Sequence, residues 1–236
     1  MSSNVEESYT EHLDTSQAVQ QSLVTVNFDT GLDYAEITLD SFVTDVVLKE
    51  IPIVKSVVGV VRSGLKVKEI FFAKKILTFL KEFHSSEISE DKLYEFREKF
   101  KYDIAYREQV MEQIMVFNDK FIHVEKSRIF ANLFAAYVNG KYGLDDMISL
   151  CMCVEMLNVF SVHFLHKMAA YEQPFNGQYY RDETSVPLLA AAGIVEVWGT
   201  HLSITAHGFY IYYYGILGKV NGDVQADYPP PPQALA

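Results

Sequence analysis

Two cysteines and two histidines offer the first chemistry to weigh. Cys151 and Cys153 fall in CMCVEML, and His163 and His166 in SVHFLHK, all within one apolar stretch. Thiolate and imidazole are common zinc ligands, so the group invites a metal reading. The spacing argues against it. Residues two apart on a helix point about 200° from each other, so both thiols cannot close on one ion. His163 and His166 stand at i, i+3, yet no carboxylate lies beside them in sequence. All four are expected to be core or contact residues, with no metal. Glu155 lies in the same stretch. A carboxylate there needs a partner if buried, and a raised pKa would suit it to acid catalysis. One acid without an identifiable partner is not an active site, and pairing with a bundle Arg or Lys is the expected account.

Other catalytic signatures are missing. The chain has no G-x-x-x-x-G-K-[ST], G-x-G-x-x-G, H-E-x-x-H or G-x-S-x-G. Gly215 and Gly218-Lys219 imitate a phosphate loop only superficially, because their spacing is wrong. No enzyme, catalytic residue or cofactor is expected.

The elements that would carry these residues read as helices. Residues 1–21 are polar and acidic and are expected to be disordered. Residues 22–171 read as a helical bundle. Within it, Pro52 opens a long helix reaching about Phe83, and Ser89, followed by Glu90 and Asp91, starts the next. Ile129, Phe130, Leu133, Phe134 and Tyr137 share one helical face. Gly140 and Gly143 then break the chain, and Asp145 and Asp146 open a long apolar helix through about Tyr171. Residues 172–220 have the order of a winged-helix-like module with a small β-hairpin, and 221–236 form a Pro-rich tail ending PPPPQALA. The fold class is mainly α.

Two segments carry the functional expectations. Residues 51–81 hold Lys55, Arg62, Lys66, Lys68, Lys74, Lys75 and Lys81 against Glu69 alone. Seven minus one is +6, within a chain whose net charge is −11. With a wide valine and phenylalanine face, this is a basic amphipathic helix. It suits an anionic membrane surface, with Lys55, Arg62, Lys66, Lys68, Lys74 and Lys75 as the cations that would meet it. The alternative is a core helix whose charges face acids of the same chain.

The second segment is GIVEVWGTHLSITAHGFYIYYYGIL, 193–217. The helix before its wing, ETSVPLLAAAGIV, offers no Arg, Lys, Asn or Gln to base edges. Across 172–218, Arg181 stands against Glu172, Asp182, Glu183 and Glu196, one minus four or −3. Phosphate contacts run on clustered cations, so nucleic acid is an unfavoured partner. Trp198, Phe209, Tyr210, Tyr212, Tyr213 and Tyr214 are the candidates for a protein interface, because aromatics are enriched there. Closure of the core against the bundle is the competing reading for the tyrosines. Thr205 is expected to cap the last helix and Gly208 to mark a close approach.

The runs IPIVKSVVGVVRSGLKVKEIFFAKKILTFLKEF, ISEDKLYEFREKF and SRIFANLFAAYVNGKYGLDDMISLCMCVEML, with LLAAAGIVEVWGTHLSITAHG after them, resemble an uncharacterised helical family of bacteria and their phages. The resemblance spans roughly 50–217. It implies a helical bundle ending in a winged-helix-like segment and a bacterial or phage setting, and it supplies no catalytic residues. Two cysteines two apart suggest no disulfide framework. MSSNVEESYTEHLDTSQAVQQ has no basic start and no apolar core, so no secretory signal is expected, and no run of about 18 uncharged apolar residues appears. The expected location is the cytoplasm, with the inner face of the membrane as the alternative.

The expected function is a non-enzymatic protein-interaction or regulatory role, with self-association included. The alternatives are membrane binding or perturbation through 51–81 and, after that, DNA-binding regulation.

Overall fold

A computed structural model describes residues 15–24, 67–170, 184–199 and 201–223. Among these the chain is mainly helical, with one two-stranded antiparallel sheet near its C-terminal end. The chain divides into two compact units. The first comprises Met1–Ser85 with Tyr94–Arg128, and the second Ser86–Leu93 with Ile129–Ala236. The single bundle expected over 22–171 is thus shared between both units. The boundary cuts through the middle of a helix, where no linker composition marks it.

In the first unit, residues 15–24 form helix α1, which corrects the expectation of disorder to residue 21. Ala18, Val19 and Leu23 on it are buried, and that apolar face is what orders it. Helix α2, Val67–Ser85, buries Ala73, Ile76, Leu77, Leu80 and Phe83 at helical spacing. It ends two residues beyond the expected Phe83. Residues 51–66 of the expected basic helix lie outside the described residues. Helix α3, Glu90–Tyr102, and α4, Ile104–Lys120, are separated at Asp103, whose carboxylate accepts from the Tyr106 amide at 3.0 Å. Aromatic rings knit these helices together: Phe83 meets Phe96 edge-on at 6.2 Å, and Phe96 meets Phe100 at 5.5 Å and Tyr106 at 6.3 Å. A fully buried side chain of this kind contributes about 1.5–3 kcal/mol.

Helix α5, Val124–Val138, passes from the first unit into the second. In the second unit its Ile129, Phe130, Leu133 and Phe134 are buried as their spacing predicts, and Tyr137 is half-buried. Asn132 and Asn139, seven residues apart on one face, staple the chain around it. Asn132 donates to the Gly215 carbonyl at 3.1 Å and accepts from the Ser86 hydroxyl at 3.3 Å. Asn139 accepts from the Ser89 amide at 3.0 Å and donates to the Glu87 and Val220 carbonyls, each at 3.2 Å. Ser89 caps α3, its hydroxyl accepting from the Lys92 amide at 3.4 Å.

Helix α6, Leu144–Met156, opens with Asp145 and Asp146 as expected, but it does not run to Tyr171. The chain breaks at Leu157–Asn158, makes a 3-10 turn at Val159–Ser161, and continues as α7, Val162–Ala170, the stretch Val159–Ala169 being bent by 93° from α6. Asn158 is the cause: its side-chain oxygen takes the Phe160 amide at 3.0 Å, closing a turn in place of the next helical bond. Helix α8, Ser185–Ala191, leads into strands β1, Val195–Trp198, and β2, His201–Ile204. Val195 pairs with Ile204, and Trp198 with His201 beside the turn.

Helix α9, Ala206–Tyr210, follows and runs on as a π-helix, Ile211–Ile216. Thr205 caps it by accepting from the Gly208 amide at 3.0 Å. Gly208 lies where any Cβ would collide with the Ile194 carbonyl oxygen, so the close approach is real. At Gly215 a Cβ would lie 2.8 Å from a methyl carbon of Ile129, so glycine lets the π-helix press against α5.

Candidate interaction surface

The tyrosine helix is the first sequence-predicted site to be placed. Tyr212, Tyr213 and Tyr214 are buried, which corrects their assignment as interface groups. Three consecutive helical residues span about 200°, so this helix is covered on nearly every side, as a helix without charge should be. Tyr213 and Tyr214 meet edge-on at 5.2 Å, and Tyr210 and Tyr214 lie 5.9 and 5.8 Å from the Tyr142 ring. The Tyr142 hydroxyl donates to the Leu133 carbonyl at 2.7 Å, and burial pushes its pKa well above the usual value. Phe209 and Tyr210 are half-buried at the edge of this cluster. Trp198, at the tip of the hairpin, is 69% exposed.

The four residues weighed as metal ligands are divided by the bend. Cys151 and Cys153 stay on α6, and His163 and His166 stand on α7, so the single helix assumed for them is replaced by two. Burial raises the pKa of both thiols, Cys151 far more than Cys153, which holds them protonated. His163 Nδ1 lies 2.6 Å from the Phe160 carbonyl, and His166 Nδ1 lies 3.0 Å from the Tyr212 hydroxyl. Among the described residues no group of three His, Cys, Asp or Glu comes together. Glu155 is half-buried and has a partner within the fold.

Exposed apolar residues lie on both sides of the bend. Met152 and Met156, one turn apart on α6, are exposed, and Phe160 on the 3-10 turn is 75% exposed. Helix α8 packs against that turn and against β1, and presents exposed Leu188. Val197 and Trp198 on β1 are also exposed. Isolated exposed apolar groups are ordinary on protein surfaces, whereas contiguous patches larger than a few hundred Å² mark contact sites.

Phe160 is the fixed point of this surface. Asn158 binds its amide and His163 approaches its carbonyl, so the backbone is held on both sides while the residue stays largely exposed. An anchor ordered before binding loses little entropy on contact. The flanking methionines are unbranched and polarisable, so they can adapt to a partner's shape. Neither α6 nor α8 carries a Lys or Arg, and α6 carries Asp145, Asp146 and Glu155.

The basic residues proposed for a membrane surface separate as well. Lys55, Arg62 and Lys66 lie outside the described residues. Lys68 is exposed and stands 3.5 Å from Asp119, and Lys74 is half-buried. Lys75 is buried, its ammonium donating to the carbonyls of Asp119 at 3.1 Å and Phe121 at 2.8 Å. That removes Lys75 from any outward-facing set. It fills the end of α4, where carbonyls lack helical partners. Burial lowers its pKa, Asp119 opposing the shift and Lys68 adding to it.

No single described helix is long and apolar enough to cross a membrane; α6 with 159–169 reaches that composition only as a pair bent by 93°. The chain matches no protein-family model, and no curated protein or solved structure matches it.

Proposed function

We propose that the chain is a non-enzymatic interaction protein whose second unit binds another polypeptide, a second copy of itself included. The observation that carries this reading is Phe160, 75% exposed on a backbone held at its amide and carbonyl, in a stretch that also exposes Met152 and Met156. Aromatic and methionine side chains are enriched at the centres of protein interfaces. The order of α8, β1, β2 and α9 is read as winged-helix-like, with its recognition surface turned from nucleic acid to protein. Helix α8 is SVPLLAA, without a single group that could reach a phosphate by charge. The resemblance to a bacterial and phage family sets the host in which a partner is sought.

Affinity capture from native cells, with membranes retained, compares the unmodified chain with Phe160→Asp. The expected result is loss of the specifically captured protein in the variant. A charge at an exposed position leaves the fold intact, which circular dichroism checks. Light scattering over a concentration series shows whether the captured protein is a second copy. Identical capture by both chains removes the reading.

A further inference from the structure

Helix α1 joins the first unit at a junction that is short of bonding partners. Its sequence is TSQAVQQSLV, without one charged residue, and Ala18, Val19, Ser22 and Leu23 are buried. The Ser22 carbonyl accepts from Nε2 of His84 on α2 at 2.9 Å. Phe83, beside His84, meets Phe96, beside Arg97, so α2 and α3 bring the imidazole and the guanidinium to the same place. Two buried polar atoms there have no hydrogen-bond partner among the described residues, the Ser22 hydroxyl and Arg97 Nε. No ion pair among the described residues involves Arg97. Arg97 is also the charge that acts on the His84 ring. On α2 itself Lys81 lies one turn before His84, and Glu82, two residues before it, points about 200° away. Among the described residues, then, cations face the ring and no carboxylate does.

We propose that α1 is an acid-released latch: protonation of His84 beside Arg97 detaches residues 15–24 from α2 and uncovers the apolar face of Ala18, Val19 and Leu23. The bond to the Ser22 carbonyl is not the switch, because a protonated ring still donates. The switch is the charge, a second cation enclosed beside Arg97 with no acid to answer it. Burial holds the pKa of the docked ring below 6.5, and Arg97 adds to that shift. Once α1 leaves, the ring returns toward its ordinary value, so the released state binds more protons than the docked one. Docking is therefore complete above pH 6.5 and is lost as pH falls through the lower docked value. The latch has ten residues, fewer than the roughly 12–15 an isolated helix needs to persist in water, so it unwinds when it leaves. The device belongs to the first unit and is independent of the protein contact assigned to the second.

The test is hydrogen exchange of the full chain, read by mass spectrometry between about pH 7.5 and about pH 5, the range over which histidine changes charge. Each peptide is corrected for the intrinsic effect of pH on exchange. Peptides over 15–24 should lose protection toward the acidic end while those over α4 keep theirs. His84→Gln keeps a donor and takes no charge, so its 15–24 peptides should be equally protected throughout. Arg97→Gln removes the neighbouring cation and should move the release to lower pH. Constant protection of 15–24 in the original chain overturns the proposal, as does an undiminished loss in His84→Gln. An unmoved transition in Arg97→Gln overturns it even where His84→Gln fails to fold. Parallel loss over 15–24 and α4 overturns it too, because the whole unit is then unfolding.

Discussion

Individual polar groups set the conditions under which this chain is stable, and His84 is the clearest case. Its Nε2 lies 2.9 Å from the Ser22 carbonyl, which a neutral ring satisfies by donating. Burial lowers its pKa below 6.5, and Arg97 adds to the shift while the Ser22 carbonyl opposes it. The unfolded chain therefore takes up a proton at higher pH than the folded one. The stability linked to this residue is complete above pH 6.5 and is lost as pH falls through the lower folded value. His84→Gln keeps a donor and cannot titrate. Urea unfolding at a series of pH values should show a shallower decline on the acidic side for the variant; parallel profiles would assign that decline to other groups. Thr205 and Gly208 are residues whose roles the sequence did disclose, because capping and close approach each demand a narrow set of side chains. Lys75 was not disclosed, because its partners, Asp119 and Phe121, lie 44 and 46 residues away.

Helices were legible wherever apolar spacing was regular and an end was marked. The starts of α3 and α6 and the buried face of α5 all followed from such marks. The bend after α6 did not, because CMCVEMLNVFSVHFLHKMAA has no proline or glycine and is apolar almost throughout. Asn158 was the one signal, a residue that favours bonding its own backbone two positions on. The exposed surface at Phe160 follows from that bend, so missing the one meant missing the other. The tyrosine helix was ambiguous for a related reason: an uncharged aromatic run suits a core and an interface equally, and only packing decides. Asn132 decides part of that packing by binding the carbonyl of Gly215 in the π-helix. Asn132→Ala leaves that carbonyl without this donor and should cost about 1–3 kcal/mol. A lower urea midpoint with an unchanged slope is the expected signature. A variant as stable as the original would show that the π-helix does not depend on α5 through this bond.

Across the molecule, charge is divided rather than blended. The 51–81 region is +6 and 172–218 is −3. The apolar residues exposed on α6 and α8, helices without Lys or Arg, suit a protein partner. Local charge matters more than the total, because −11 describes neither region. Composition could set these totals but not the division into units, because the boundary runs through α5 between Arg128 and Ile129 with no Gly or Pro to announce it.

The central claim is that Phe160 touches another protein, and a photo-crosslinker in its place reads that contact most directly. Benzoylphenylalanine at position 160 preserves an aromatic ring on the same backbone, and Tyr94, 65% exposed on α3 in the first unit, is the control position. Irradiation in native cells should give a discrete higher-mass product from position 160 and none from 94. A chain that stays at its own mass from both positions, under conditions where it is folded, contradicts the account.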